Sequence, residues 1–195
     1  MTELETLTVL HVGCGREKVH YLFRSPQWRE LRLDIDPSVQ PDIVSSVTDM
    51  GALDSASVDA VFSSHNLEHL FAHEVEVALR EFLRVLKPNG FALIGVPDLQ
   101  AAAELIVADK LTEPAYLSSA GPVTPLDMLY GYRPFLASGN LFMSHHTGFT
   151  ARSLMETIIG SGFAWVKVVK DTGLNLWAKA YKTKPDEATC AAPLW

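Results

Sequence analysis

The stretch Leu7-Thr8-Val9-Leu10-His11-Val12-Gly13-Cys14-Gly15-Arg16-Glu17-Lys18 decides how the chain is read. Its apolar, branched run from Leu7 to Val12 has the composition of a central parallel strand. Gly13 and Gly15 follow at once, and neither carries the Cβ that would hold a ligand away from the main chain. A glycine pair after an apolar run is an ordinary tight turn as readily as a cofactor cradle. Asp34 favours the cradle. It closes the next apolar segment, Leu31-Arg32-Leu33-Asp34-Ile35-Asp36, 19 residues after Gly15; in a βαβ unit roughly 20 residues separate a phosphate-binding turn from its ribose-binding acid.

Further apolar segments follow in the rhythm of an alternating fold. Residues 42–47 and 58–62 read as a third and a fourth strand, ending in Thr48-Asp49-Met50 and Ser63-Ser64-His65-Asn66. Between His73 and Leu86, Val75, Val77, Leu79, Phe82, Leu83 and Leu86 form the apolar side of an amphipathic helix, which Lys87-Pro88-Asn89-Gly90 stops. Phe91 to Val96 is a fifth, fully apolar strand. The first crossover is expected to be short or irregular, because Ser25-Pro26 interrupts any helix. Such alternation predicts a doubly wound, mostly parallel α/β sheet. Thr150 is a plausible N-cap for a helix over 151–159, and the strands 164–169 and 174–181 should pair as an antiparallel hairpin. Residues 98–149 are broken by Pro114, Gly121-Pro122, Pro125, Gly131, Pro134 and Gly139. Apart from a helix over 99–111 they are expected to be an irregular lid or substrate-binding wall.

The chain has 195 residues, 48% of them hydrophobic and 20% charged, enough for one domain with a full core. A net charge of −7 argues against a broad surface for nucleic acid or anionic membrane. Glu17 and Glu30 interrupt the basic run Arg16, Lys18, Arg24, Arg29 and Arg32, so that run reads as a solvated face. Residues 1–5 lack the basic-then-apolar pattern of a signal peptide. No apolar run approaches the ~20 residues of a membrane span. Cys14 and Cys190 are far apart, with Cys14 in the glycine turn, which fits a reducing cytoplasm.

Taken in order, these pieces resemble the class I methyltransferases that use S-adenosylmethionine, of the small-molecule type with a minimal seven-stranded core. The resemblance runs over residues 7–182. It rests on Val12-Gly13-Cys14-Gly15, Leu33-Asp34-Ile35-Asp36-Pro37, Ser57-Val58-Asp59-Ala60-Val61, Leu67-Glu68-His69-Leu70 and residues 84–90. It implies a Rossmann-like methyltransferase domain over 1–183 with a C-terminal antiparallel hairpin, followed by a tail, 184–195, that is disordered or docked on a partner. S-adenosylmethionine is the implied cofactor. Gly13, Cys14 and Gly15 would face its methionine part, Asp34 its ribose hydroxyls and Ile35 its adenine. Ser46, Val47 or Asp49 would meet the adenine edge, and Ser63 and Ser64 the methionine amine and reacting methyl. His11 and Glu17 depart from the family, which often has an acid and a third glycine there. Glu17 and Lys18 also count against a dinucleotide fold and a nicotinamide oxidoreductase.

The expected activity is methyl transfer to oxygen or nitrogen of a small-molecule acceptor; the alternative is a non-catalytic S-adenosylmethionine-binding module or partner subunit. A homodimer stays open. Methyl transfer needs mainly alignment and exclusion of water, plus a base when the acceptor is a hydroxyl. His65, just after the fourth strand, is the leading base, with a structural hydrogen bond or cofactor contact as its alternative. His145 and His146 return from the lid toward the same place. No metal is expected, since HxxxH-type spacing and a nearby cysteine are missing. Tyr130, Tyr132 and Arg133 in the lid suit an anionic or sugar-like substrate or plain packing, while Phe142 and Met143 are expected in the core.

Overall fold

The computed structural model describes residues 6–194, so the reading of Met1–Glu5 falls outside the described residues. In chain order, β1 (Leu7–Val12), β2 (Trp28–Asp34), β3 (Ile43–Val44) and β4 (Val58–Ser64) precede α1 (Ala72–Val85) and β5 (Leu86–Pro97). The excursion that follows holds α2 (Leu99–Val107), β6 (Tyr116–Ser118), β7 (Gly121–Val123), α3 (Pro125–Tyr130) and α4 (Arg133–Ala137). The chain ends with α5 (Ala151–Gly160), β8 (Trp165–Lys170), β9 (Asn175–Tyr181) and α6 (Glu187–Ala191). Seven strands make the main sheet in the order β3-β2-β1-β4-β5-β9-β8. The first five run parallel; β9 is antiparallel to both β5 and β8, as the hairpin reading required.

Alternation along the strands sends side chains to two different coverings. Leu10, Val12, Leu33, Val61, Ile94 and Ala178 meet the apolar side of α1 (Val75, Ala78, Leu79, Phe82) and Leu154 and Ile158 of α5. Val9, Ala60, Phe62 and Leu93 face the other way, toward Val19, Phe23 and Leu194. That second face is closed by a 3-10 turn, Tyr21–Phe23, and by the C-terminal segment. The tail was expected to be disordered or docked on a partner; instead it docks on its own sheet. Asp186 caps α6 by accepting from the Thr189 amide, Lys167 Nζ donates to the Ala192 carbonyl at 2.7 Å, and Leu194 is 5% exposed.

Two further expectations are corrected. The third strand is only two residues long, because its serines turn inward on local partners: Ser45 Oγ donates to the Asp49 carbonyl, and Ser46 Oγ pairs with Thr48 Oγ1. The excursion is also more regular than its prolines suggested. Pro125 and Pro134 start helices rather than breaking them, since an early helical position needs no N–H donor. Both ends of the excursion meet: Asp98 bridges to Phe149, and the Leu99 amide donates to the Phe149 carbonyl at 2.9 Å. Thr150 then caps α5, accepting from the Ser153 amide. Among the described residues no helix is long and apolar enough to cross a membrane.

Candidate active site

The site lies at the C-terminal ends of the parallel strands. The chain leaves β1 through Gly13 (φ +56°) and Gly15 (φ +48°), left-handed conformations that suit glycine. A Cβ on Gly13 would stand 2.0 Å from Asn66 Nδ2, so this position is bare because the loop after β4 packs on it. At Gly15 a Cβ would meet nothing within 4 Å; the space beside its backbone is open. Gly15 donates its amide to Asp34 Oδ2 at 2.7 Å, and Asp36 donates to Asp34 Oδ1 at 2.9 Å. The Arg32 guanidinium holds the Gly15 carbonyl at 2.5 Å. Asp34 is buried, ties the glycine turn to the end of β2, and keeps acceptor capacity on both oxygens.

A cavity of about 300 Å³ opens beside this turn. Of the residues assigned to the cofactor, Gly13, Gly15, Asp34, Ile35, Ser46 and Val47 line it, with Ile35 offering a half-exposed apolar face. Cys14, Asp49, Ser63 and Ser64 do not. Cys14 is buried, donates its amide to Leu33, and has its thiol pushed up in pKa by burial. Asp49 is exposed and caps the Gly51 amide. Ser63 is fully buried, in register with Val12 and Ile94, its hydroxyl without a hydrogen-bond partner among the described residues. Ser64 is partly buried one register further, opposite Gly95.

His65 and Asn66, from the loop after β4 that packs on Gly13, also line the cavity. His65 is held at φ +50°, a conformation uncommon outside glycine. Its Nδ1 lies 3.1 Å from Glu68 Oε1, and Glu68 is 1% exposed. Because a carboxylate only accepts, Nδ1 carries the proton and Nε2 is left with its lone pair. The His65 ring is 42% exposed, with its Nδ1 edge turned to buried Glu68; desolvation opposes a charged imidazole, yet the hydrogen bond and charge of Glu68, with Asp171, leave His65 above its usual pKa. Burial likewise works against the Glu68 carboxylate, but its hydrogen bond with His65 and its electrostatic interactions with His65, His69 and His145 keep it below the ordinary glutamate range.

The lid supplies the far wall, in part where packing was expected. Asn140, Leu141, Phe142 and Met143 line the cavity, and Phe142 is 62% exposed. The reading of Phe142 as core is therefore corrected: a short 3-10 turn, Leu141–Met143, turns it outward. His146 reaches the cavity, whereas His145 sits behind it, with Nδ1 2.9 Å from the Met128 carbonyl. The Glu68 carbonyl accepts from the His146 amide at 2.8 Å and the Thr147 amide at 3.2 Å, which fastens the returning lid to the turn after β4. Tyr130, Tyr132 and Arg133 stay out of the cavity. Arg133 Nε donates to Asp127 Oδ1 at 2.7 Å, and the Tyr132 hydroxyl donates to the Ala120 carbonyl at 2.9 Å. Asn66 and Asn140 were not foreseen as cavity residues; an asparagine has no periodicity, and only the fold brings these two together.

Residues 10–94 match the model of a methyltransferase domain family. The fold is similar to that of a methyltransferase from Methanosarcina mazei described as S-adenosylmethionine-dependent (TM-score 0.60, 16% identity, 92% of this chain and 93% of that one). It is also similar to a putative methyltransferase of Haloferax volcanii solved in complex with the Trm112 methyltransferase activator (0.59, 15%, 96% and 86%). A third similar structure is the Burkholderia thailandensis 1,6-didemethyltoxoflavin-N1-methyltransferase with bound 1,6-didemethyltoxoflavin and S-adenosylhomocysteine (0.55, 17%, 92% and 72%). Among curated proteins none matches the chain.

Proposed function

Since the chain carries a methyltransferase domain over residues 10–94 on the fold of the class I S-adenosylmethionine-dependent methyltransferases, we propose that it methylates an oxygen or nitrogen of a small-molecule acceptor. The observation that carries this reading is one cavity lined by the Gly13–Gly15 turn, by Asp34 and by His65, whose ring is held from behind by Glu68.

The residues present fit S-adenosylmethionine, the cofactor of this class. Asp34 has acceptor capacity for two ribose hydroxyls, Ile35 an apolar surface for the adenine, and Gly15 an open backbone. Asn66 Oδ1 is buried with no partner among the described residues, an acceptor suited to the ammonium of an amino-acid moiety. When bound, this cofactor supplies an electrophilic methyl on a sulfonium. The protein's share is positioning: holding acceptor and methyl in line and excluding water is worth up to about 7–11 kcal/mol of barrier. His65 Nε2 takes the acceptor's proton, while Glu68 fixes the ring and offsets the charge that develops on it. His146 and the 140–143 wall enclose the acceptor. A cavity of about 300 Å³ suits a small molecule, and a net charge of −7 disfavours nucleic acid.

Calorimetric titration with S-adenosylhomocysteine, with a nicotinamide dinucleotide as control, tests the reading first. Micromolar binding of the first ligand alone is expected; binding of neither, by folded protein, would sink it. An acceptor panel then tests transfer. A second reading, a cofactor-binding subunit that needs a partner, draws on the activator complex of the Haloferax volcanii neighbour. Turnover by the isolated chain would exclude it.

A further inference from the structure

We propose that Glu68, His69 and His145 form a binding site for a divalent transition-metal ion of the zinc class. One donor atom from each side chain lies within 4.8 Å of the other two. The two imidazoles meet edge to face, with ring centroids 4.9 Å apart. Residues 68 and 145 come together because the returning lid is fastened to the Glu68 carbonyl through the amides of His146 and Thr147. No local spacing announces such a site, which explains why a search for HxxxH patterns passes over it.

Each candidate ligand already has the outer partner that a metal ligand requires. His69 Nδ1 lies 3.1 Å from the Ser144 carbonyl, and His145 Nδ1 2.9 Å from the Met128 carbonyl. A carbonyl only accepts, so both Nδ1 atoms carry protons and both Nε2 atoms keep their lone pairs. His65 occupies Glu68 Oε1, leaving Oε2, a buried oxygen with no hydrogen-bond partner among the described residues. An orphaned carboxylate oxygen inside a protein is costly unless something cationic or protic meets it. His69 and His145 each bring a ring nitrogen within 4.8 Å of a donor oxygen of Glu68, and a cation is what the three side chains can share. In metal sites, hydrogen bonds of this kind, here from the two ring N–H groups to carbonyls and from His65 to the carboxylate, fix the tautomer and direction of the ligands.

The donor types select the ion. Two imidazoles and one carboxylate suit zinc and its neighbours, whereas magnesium and calcium take oxygen ligands. Ligands about 2.0–2.1 Å from a tetrahedral ion lie roughly 3.4 Å apart, so donors now within 4.8 Å of one another need to close by up to about 1.4 Å. Three protein ligands leave a fourth position. His69 lines the cavity, so that position is available to an acceptor oxygen or nitrogen; this last role alone rests on the methyl-transfer reading, and the ion's binding does not.

The test uses the full chain stripped with a chelator and titrated with zinc chloride by calorimetry, with cobalt(II) chloride as an optical probe. One equivalent of zinc is expected, with a dissociation constant of micromolar or below, and a cobalt spectrum with visible bands. His69→Gln, His145→Gln and Glu68→Gln should each weaken zinc at least tenfold and remove the cobalt bands, while His73→Gln, on α1 outside the cluster, leaves both unchanged. Folded wild-type protein that binds no zinc would overturn the proposal, as would folded variants that bind it like wild type. The wild-type titration decides even if a variant fails to fold. S-adenosylhomocysteine binding, measured in parallel, separates failure of the metal site from failure of the methyltransferase reading.

Discussion

The Gly15 amide and Asp34 Oδ2, 2.7 Å apart, join the turn after β1 to the end of β2 through one charged hydrogen bond. Asp34 therefore shapes the cradle as well as facing into it. Hydrogen bonds to charged groups contribute about 1.5–3 kcal/mol each, so Asp34→Ala should weaken S-adenosylhomocysteine binding by tenfold or more. Asp36 instead caps a short turn through Ser38, and Asp36→Ala should change affinity less than threefold. Calorimetry on both variants decides; equal losses would remove the ribose assignment.

The two glycines of the turn should fail differently. Gly13→Ala drives a methyl group into Asn66 and is expected to lower the melting temperature and disturb the loop that carries His65. Gly15→Ala has room and should cost about 1 kcal/mol for its left-handed backbone, while the added methyl fills the cradle and cuts cofactor affinity. Thermal melts beside binding isotherms read the contrast. An intact isotherm for Gly15→Ala would place the cofactor elsewhere.

His65→Ala removes the proposed base and leaves the Asp34 side of the cavity alone. Turnover with a hydroxyl acceptor should fall by about 10²–10⁴, with S-adenosylhomocysteine affinity nearly constant. A large loss of affinity with little change in turnover would make His65 a binding residue.

Acid stability should depend on the lid. Asp127 is buried and accepts from Arg133 and Thr124. Burial raises its carboxyl, but those hydrogen bonds outweigh it and hold the group at about 2. A carboxyl depressed in the folded state adds stability that is present above its unfolded pKa of about 3.9 and lost as the pH falls toward 2. Arg133 is half in solvent, so screening limits the contribution to about 1–2 kcal/mol. Denaturant melts of wild type and Asp127→Asn should differ most at pH 5 and converge as the pH falls to about 2; a constant gap would show that the aspartate contributes through packing alone.

Much of this architecture was written in local patterns. The run Leu7–Val12, the apolar stripe between His73 and Leu86 and the Thr150 cap each declare an element through spacing or one hydrogen bond; the strand and the cap appear where those patterns put them, and the helix spans Ala72–Val85, with Leu86 already in β5. The misread pieces depend on partners far along the chain. Pro125 and Pro134 looked like breakers because a proline alone does not say whether it opens a helix or prevents one. The tail 184–195 reads as disordered or docked on a partner because the sheet face that its Leu194 covers is assembled from β1, β4 and β5. The Glu68–His145 approach spans much of the chain, and Phe142 is turned outward by a wall that exists only once the lid has folded back.

The bridge from Asp98 to Phe149 gives the excursion between them a property of its own. Its two ends are stitched together at the sheet, so the seven strands see one fixed junction whatever lies beyond it. Closing a longer loop there costs only about 0.6 kcal/mol per doubling of length. The 99–148 insert can therefore be exchanged as a cassette, changing one wall of the cavity while the Gly13–Gly15 turn stays as it is. Under the proposed function, grafting that segment between chains, cut at Asp98 and Phe149, is the corresponding route for engineering acceptor choice.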